Sequence, residues 1–244
     1  MLFRSEKMTT EMVFRNTKEA KEHTGSLGQT KKMPGKSLGI QAKWCKIGSK
    51  LAKIEGTVCH ECYGLYGFYM MPNVKEAQDK RLKLMMEDPL WEDAMVAQIR
   101  VLKVPFFRWF DDGDLQSVYN LERIVRVCER TPMINHWLPT KEYGIVNDFL
   151  LKGGVIPENL SMRPSGYKFN GKPPEFKGKF HLMSELPTST ATYLDENEKP
   201  MSVHGHLCPA HWQNGECGDC RACWDKEVTN VTYVNQRQKI TKGE

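Results

Sequence analysis

Four cysteines near the end of the chain constrain its fold most, because their spacing predicts a metal site. Cys208, Cys217, Cys220 and Cys223 follow the pattern C-x8-C-x2-C-x2-C. A C-x2-C-x2-C run is typical of a cubane iron–sulfur site whose fourth thiolate comes from a cysteine often followed by proline, and Pro209 follows Cys208. We therefore predict a [4Fe–4S] cluster held by this group. A structural zinc site is the alternative, although zinc ligands usually come as two separate C-x2-C pairs.

A second group, Cys45, Cys59 and Cys62, has the spacing C-x13-C-x2-C. Three local thiolates suit a cubane with one iron left open to a substrate or cofactor. Four alternatives to this open cluster remain. A fourth ligand would come from the tail, or it would be His60. The pair Cys59 and Cys62 would instead be half of a zinc knuckle, or the two cysteine groups would share a single cluster. Cys128 falls on the apolar face of a helical pattern and is interpreted as core.

The composition indicates a folded protein with a core. The chain has 244 residues, of which 40% are hydrophobic, and a formal net charge of +5. The opening residues lack a signal-peptide pattern and no segment is apolar enough to span a membrane, so a cytoplasmic location is expected. The first 50 residues hold 11 Lys/Arg and 4 Asp/Glu. This region is a candidate for nucleic-acid contact, with a solvated arm as the alternative.

The spacing of apolar runs predicts an α/β fold. Short β-rich runs begin near residues 37, 104, 133, 159, 180 and 201, and helical patterns separate most of them. Repeated strand–helix units of this length are typical of a parallel sheet, here a partial (βα) barrel. We predict three segments: an extended basic lead-in at 1–36, the partial barrel at 37–206, and a cysteine-rich cluster-binding tail at 207–244.

Residues at the C-terminal ends of parallel strands are the candidates for chemistry. The candidate catalytic residues are Asp112, Lys141 and Arg163, and the candidate cofactor-binding residues are Asp114 and His204. Lys141 and Arg163 would bind an anionic substrate or a cofactor carboxylate, or simply face water. Asp114 would alternatively cap a helix that begins at Leu115.

Five motifs in order carry a resemblance to a known family. They are Gly48–Ile54, Val58–Gly64, Arg108–Ser117, His136–Gly144 and Cys217–Trp224. These segments resemble the gene product 88 family of tailed-bacteriophage proteins, whose function is unassigned, over roughly residues 37–230. The resemblance implies a phage origin, and hence the host cytoplasm, but no particular chemistry.

A weaker likeness is to the radical S-adenosylmethionine superfamily. Its members resemble this chain in placing three cysteines after the first strand of a partial barrel, with a Gly-rich acidic turn after a later strand, here Asp112-Gly113-Asp114. The chain departs from that pattern in its C-x13-C-x2-C spacing and in lacking a Gly-Gly-Glu turn. The likeness implies S-adenosylmethionine as a further candidate cofactor.

Together these features predict an iron–sulfur protein that performs redox or radical chemistry on an unknown small molecule or nucleotide. The alternative from a different class is a zinc-stabilised, non-catalytic phage protein that binds nucleic acid or a host partner.

Overall fold

The computed structural model describes residues 14, 16–30 and 32–235. Six α-helices occur in this part of the chain: α1 (Thr17–Thr24), α2 (Lys46–Leu51), α3 (Pro72–Glu87), α4 (Trp91–Arg100), α5 (Val118–Glu129) and α6 (Tyr143–Leu151). The strands are β1 (Lys36–Leu38), β2 (Phe106–Trp109), β3 (Asn135–Thr140), β4 (Leu160–Phe169), β5 (Thr188–Thr192), β6 (His206–Leu207) and β7 (Asn230–Val234).

All seven strands form one parallel sheet in the order β1-β2-β3-β4-β5-β7-β6. This confirms the predicted α/β class and the parallel sheet. Each of the first five strands lies beside the one before it, which is the winding of barrel folds rather than the reversed order of doubly wound sheets. No helix among the described residues is both long and apolar enough to cross a membrane.

The alternation of side chains along the central strands gives the sheet two different faces. One face is apolar: Phe107, Trp109 and Leu138 are buried in a core shared with α4, α5 and α6. The other face presents Arg108 and Trp137, whose neighbours along the strands are buried. The polar face is therefore the one available for chemistry.

One predicted helix start differs from the observed one. Helix α5 begins at Val118, and Ser117 caps it by accepting a hydrogen bond from the backbone N–H of Asn120. Asp114 is therefore not its N-cap. Helix α6 begins at Tyr143.

The last two predicted strands are wrong. Residues 178–183 form a 3-10 helix, and no strand is present at 201–204. The actual strand β5 is made of threonine, serine and alanine, so it lacks the apolar pattern on which the prediction relied. Strand β7 does contain valine and tyrosine, but it lies in the segment that was predicted to be the cluster-binding tail. β7 comes from the predicted tail, yet it lies inside the sheet between β5 and β6. The tail and the barrel segment thus share one sheet.

Candidate metal centres and the cavity between them

A cavity of about 230 Å³ opens on the polar face of the sheet. Strands β2, β3, β4, β5 and β7 all contribute residues to its wall, and the rest come from the segment after β1 and from the chain just after β2, β3 and β7. Neighbouring strands lie about 4.8 Å apart, so strands as far apart as β2 and β7 share one small cavity only if the sheet curves around it.

The first cysteine group lies in this cavity. Cys45, Cys59 and Cys62 all line it. A methyl group placed on Gly48 would stand 3.6 Å from the sulfurs of both Cys45 and Cys59, so these two sulfurs are at most twice that distance apart. The structure thus brings together three thiols that the sequence separates by up to 17 positions.

The thiols of this group are partly buried. Burial raises the pKa of Cys45 and of Cys59 above the ordinary thiol value, and raises that of Cys62 to about 11. The backbone N–H of Gly64 hydrogen-bonds the Cys62 sulfur and opposes that rise. The charge of Lys141 likewise favours the thiolate of Cys59.

Asp112 also lines the cavity, as predicted for a residue at the end of β2. It is buried and accepts hydrogen bonds from Gln78 Nε2 at 3.1 Å and from the Gly113 N–H at 3.0 Å. Burial raises its pKa to about 7. A methyl group on Gly64 would stand 1.9 Å from Asp112 Oδ1, so the chain after Cys62 packs on this carboxyl only because residue 64 is glycine.

Asp114 joins the ends of two strands. Its carboxylate accepts hydrogen bonds from Thr140 Oγ1 at 2.6 Å, from the Lys141 N–H at 2.8 Å and from the Leu115 N–H at 2.7 Å. It lines the cavity, and burial raises its pKa to about 6. These contacts hold the loop after β3, so Asp114 positions Lys141, which also lines the cavity.

Arg163 has a different environment from the one predicted. It is fully buried, lies outside the set of cavity-lining residues, and donates all five of its N–H groups to backbone carbonyls. Those carbonyls belong to Thr188, Ala222, Cys223, Asp225 and Val228. Arg163 therefore anchors the cysteine-rich tail to β4, and none of its N–H groups is left for a substrate anion.

His204 is also placed away from the cavity. Its Nε2 lies 3.1 Å from Ser202 Oγ, and its backbone bonds to Thr232 and Asn230. The neighbouring His206 is the histidine that reaches a tail cysteine, with Nε2 at 3.2 Å from Cys220 Sγ.

The tail cysteines gather against the outer wall of the cavity. Cys208, Cys220 and Cys223 pack in one apolar cluster with Trp137 and Trp224. Burial raises the pKa of Cys208 to about 11, that of Cys223 to about 12, and that of Cys217 above the ordinary value. Cys217 belongs to the same site, because its charge acts on both Cys208 and Cys223.

Polar groups point at the tail sulfurs. The Tyr233 hydroxyl lies 3.1 Å from Cys223 Sγ, and the backbone N–H of Ala210 hydrogen-bonds the Cys208 sulfur. Hydrogen bonds of this kind stabilise thiolates and tune the metal that they hold. The site therefore fits a thiolate-bound group.

Within residues 14, 16–30 and 32–235, no three His, Cys, Asp or Glu side chains converge closely enough to hold a single ion.

Sequence reasoning missed several residues of the cavity, among them Glu61, Tyr63, Arg108 and Tyr233. The sequence did contain a signal that Arg108 is a functional residue. It stands between Phe107 and Trp109 in a buried, aromatic strand, where a charged residue is unusual.

Comparison with known proteins agrees with the resemblance read from the motifs. A family model described as Gene product 88 matches residues 8–226. The chain belongs to the gene product 88 family. The match supports a phage-type protein of unassigned function. No curated protein and no solved structure matches the chain. Residues 1–13, 15 and 31 of the basic N-terminal region lie outside the described residues, and contact of this region with nucleic acid stays a prediction.

Proposed function

We propose that this gene product 88 family member is an iron–sulfur protein that performs redox or radical chemistry on a small molecule bound in the cavity. One observation carries the proposal: Cys45, Cys59 and Cys62 line a single cavity together with Asp112 and Lys141. Thiols, a carboxyl of raised pKa and a cation at the C-terminal ends of parallel strands are typical of an active site.

Cys45, Cys59 and Cys62 would hold the first cluster. A cubane with three thiolate ligands has one open iron, which supplies a binding position and a source or sink for one electron. The cavity lies beside these cysteines, so a substrate or S-adenosylmethionine would approach from there. Asp112 would accept or donate a proton near neutral pH, because its pKa is about 7.

Cys208, Cys217, Cys220 and Cys223 would hold the second cluster. Four thiolates leave no open iron, so this centre would store or relay an electron rather than bind substrate. Its aromatic surroundings, with Trp137 and Trp224 in the same apolar cluster, would keep water away. The C-x2-C-x2-C spacing of the tail supports a cluster over zinc, because zinc ligands usually come as two separate C-x2-C pairs.

The decisive experiment measures iron, acid-labile sulfide and zinc per chain on protein purified without oxygen. We expect about eight irons with matching sulfide. Cys62→Ala and Cys220→Ala should each lose about half of the iron. Cys128→Ala is the matched control, because it removes a thiol that is buried in the helical core. Its iron content should equal that of the wild type. Zinc without sulfide in the wild type would contradict the proposal.

The alternative function rests on a different observation, the excess of Lys/Arg over Asp/Glu in the first 50 residues. A zinc-stabilised, non-catalytic protein would be colourless and would bind DNA with an affinity that falls steeply with salt. The same metal analysis separates the two functions.

A further inference from the structure

Arg108 holds a positive charge on the wall of the cavity. It lies in the middle of β2, on the polar face of the sheet, and lines the cavity beside Trp137. Its guanidinium carbon stands 4.4 Å from the centre of the Trp137 ring. This stacking fixes the guanidinium, because a flat cation on an aromatic face has little freedom to rotate.

Few of the hydrogen-bond donors of Arg108 have partners. One N–H group donates to the Tyr63 hydroxyl at 3.1 Å, and another points at the Met33 sulfur at 3.6 Å, which is a weak acceptor. The Nε atom is buried and has no hydrogen-bond partner. Arg163, on the neighbouring part of the sheet, uses all five of its donors.

The charge of Arg108 is not matched by an ion pair among the described residues. Asp111 acts on it electrostatically without forming an ion pair; one oxygen of that carboxylate accepts a hydrogen bond from the Tyr69 hydroxyl, and the other is buried without a hydrogen-bond partner. A guanidinium in a protein stays protonated, and those of its N–H groups that lack a partner can donate to the oxygens of a bound anion. A site of this kind is stabilised when an anion enters it.

We propose that the cavity binds a small molecule through an oxyanion, a carboxylate or a phosphoryl group, held by the guanidinium of Arg108. The planar fork of a guanidinium matches two oxygens of such a group, whereas a neutral ligand would leave the charge unpaired. The stacked Trp137 ring fixes the plane in which the oxyanion binds. Cys45, Cys59 and Cys62 lie on the wall of the same cavity, so a molecule anchored on Arg108 would extend toward them.

The test is a titration with two minimal probes, inorganic phosphate and acetate, at constant ionic strength. Binding is followed through the Nε–H resonance of Arg108 in 15N-labelled protein, assigned by its loss in Arg108→Lys. We expect a saturable shift with at least one probe. Saturation by phosphate alone indicates a phosphoryl ligand, and saturation by acetate alone a carboxylate.

Calorimetric titrations of variants provide the second arm. Arg108→Gln should abolish binding, and Arg108→Lys should weaken it about tenfold, because an ammonium lacks the two-pronged contact. Arg126→Gln, on the exposed side of α5, is the matched control and should bind as the wild type does. The thermal unfolding midpoint of each variant shows that it is folded.

Two results would overturn the inference. The first is the absence of saturable binding of either probe to the wild type. The second is loss of iron in Arg108→Gln with probe binding unchanged, which would make Arg108 a counter-charge for the cysteine sites. Metal analysis of the same samples keeps this test separate from the proposed function. If the protein contains no iron but still binds the anion, the proposed function fails and the inference about Arg108 stands.

Discussion

The hydroxyl of Tyr233 lies 3.1 Å from the sulfur of Cys223, while the side chain of Tyr233 lines the cavity that contains the other cysteine group. Its ring also stacks on Trp137, with the ring centres 6.3 Å apart. Tyr233 is thus in contact with the tail site on one side and with the cavity on the other.

Replacing Tyr233 by phenylalanine should lower the reduction potential of the tail cluster. A hydrogen bond to a cluster sulfur stabilises the reduced, more negative state of the cluster. Removing a hydrogen bond worth about 1 kcal/mol therefore lowers the reduction potential by ~40 mV for a one-electron couple. The measurement is a redox titration followed by electron paramagnetic resonance. Tyr119→Phe, at an exposed position on α5, is the control. An unchanged potential in Tyr233→Phe would mean that Cys223 does not ligate the cluster.

Replacing Arg163 by methionine should destabilise the protein strongly. Five carbonyls, four of them between residues 222 and 228, would lose their donor in a buried site, and we expect a loss of about 3–5 kcal/mol in the free energy of unfolding. Urea denaturation measures it. Arg126→Met should cost only about 1 kcal/mol or less, because its partner Glu92 is near the surface. Equal losses in the two variants would contradict the anchoring role.

Replacing Gly48 by alanine should empty the first cysteine site. The added methyl group would stand 2.8 Å from Cys45 Cβ, so the loop carrying Cys45 must shift. We expect about half of the iron to be lost, with the tail cluster retained. Gly144→Ala, also within a helix, is the control, because a methyl group there meets nothing within 4 Å. That control should gain about 0.5–1 kcal/mol in stability. Full iron content in Gly48→Ala would argue against a cluster at Cys45 and Cys59.

The sequence predicted the parts of the fold that depend on local apolar patterns. The central strands and the parallel arrangement were predictable, because Phe107, Trp109 and Leu138 alternate with residues of the other face. β5 was not predictable in this way. Thr188–Thr192 has no large apolar residue, and its hydroxyl groups hydrogen-bond to side chains of the neighbouring strands, whereas the apolar residues at 180–183 belong to a 3-10 helix.

For the site, the sequence predicted which residues lie at strand ends but not what they contact. Asp112, Asp114 and Lys141 do line the cavity. Arg163 does not, because its partners come from residues 188 and 222–228, and contacts between segments so distant along the chain leave no local pattern. Arg108 was missed for the opposite reason: its significance lies in partners that are absent.

His136 should make stability depend on pH. It is fully buried, with Nε2 2.9 Å from Thr131 Oγ1, and burial lowers its pKa to about 3. The unfolded chain binds a proton there near pH 6.5, so below that pH the unfolded state binds more protons and stability falls as pH falls. We expect a loss of about 2 kcal/mol between pH 7 and 5 from this residue, measured by urea denaturation. His136→Phe should be less stable at pH 7, but its free energy of unfolding should lack this part of the dependence on pH. Parallel slopes in the two proteins would show that folding does not lower the pKa of His136.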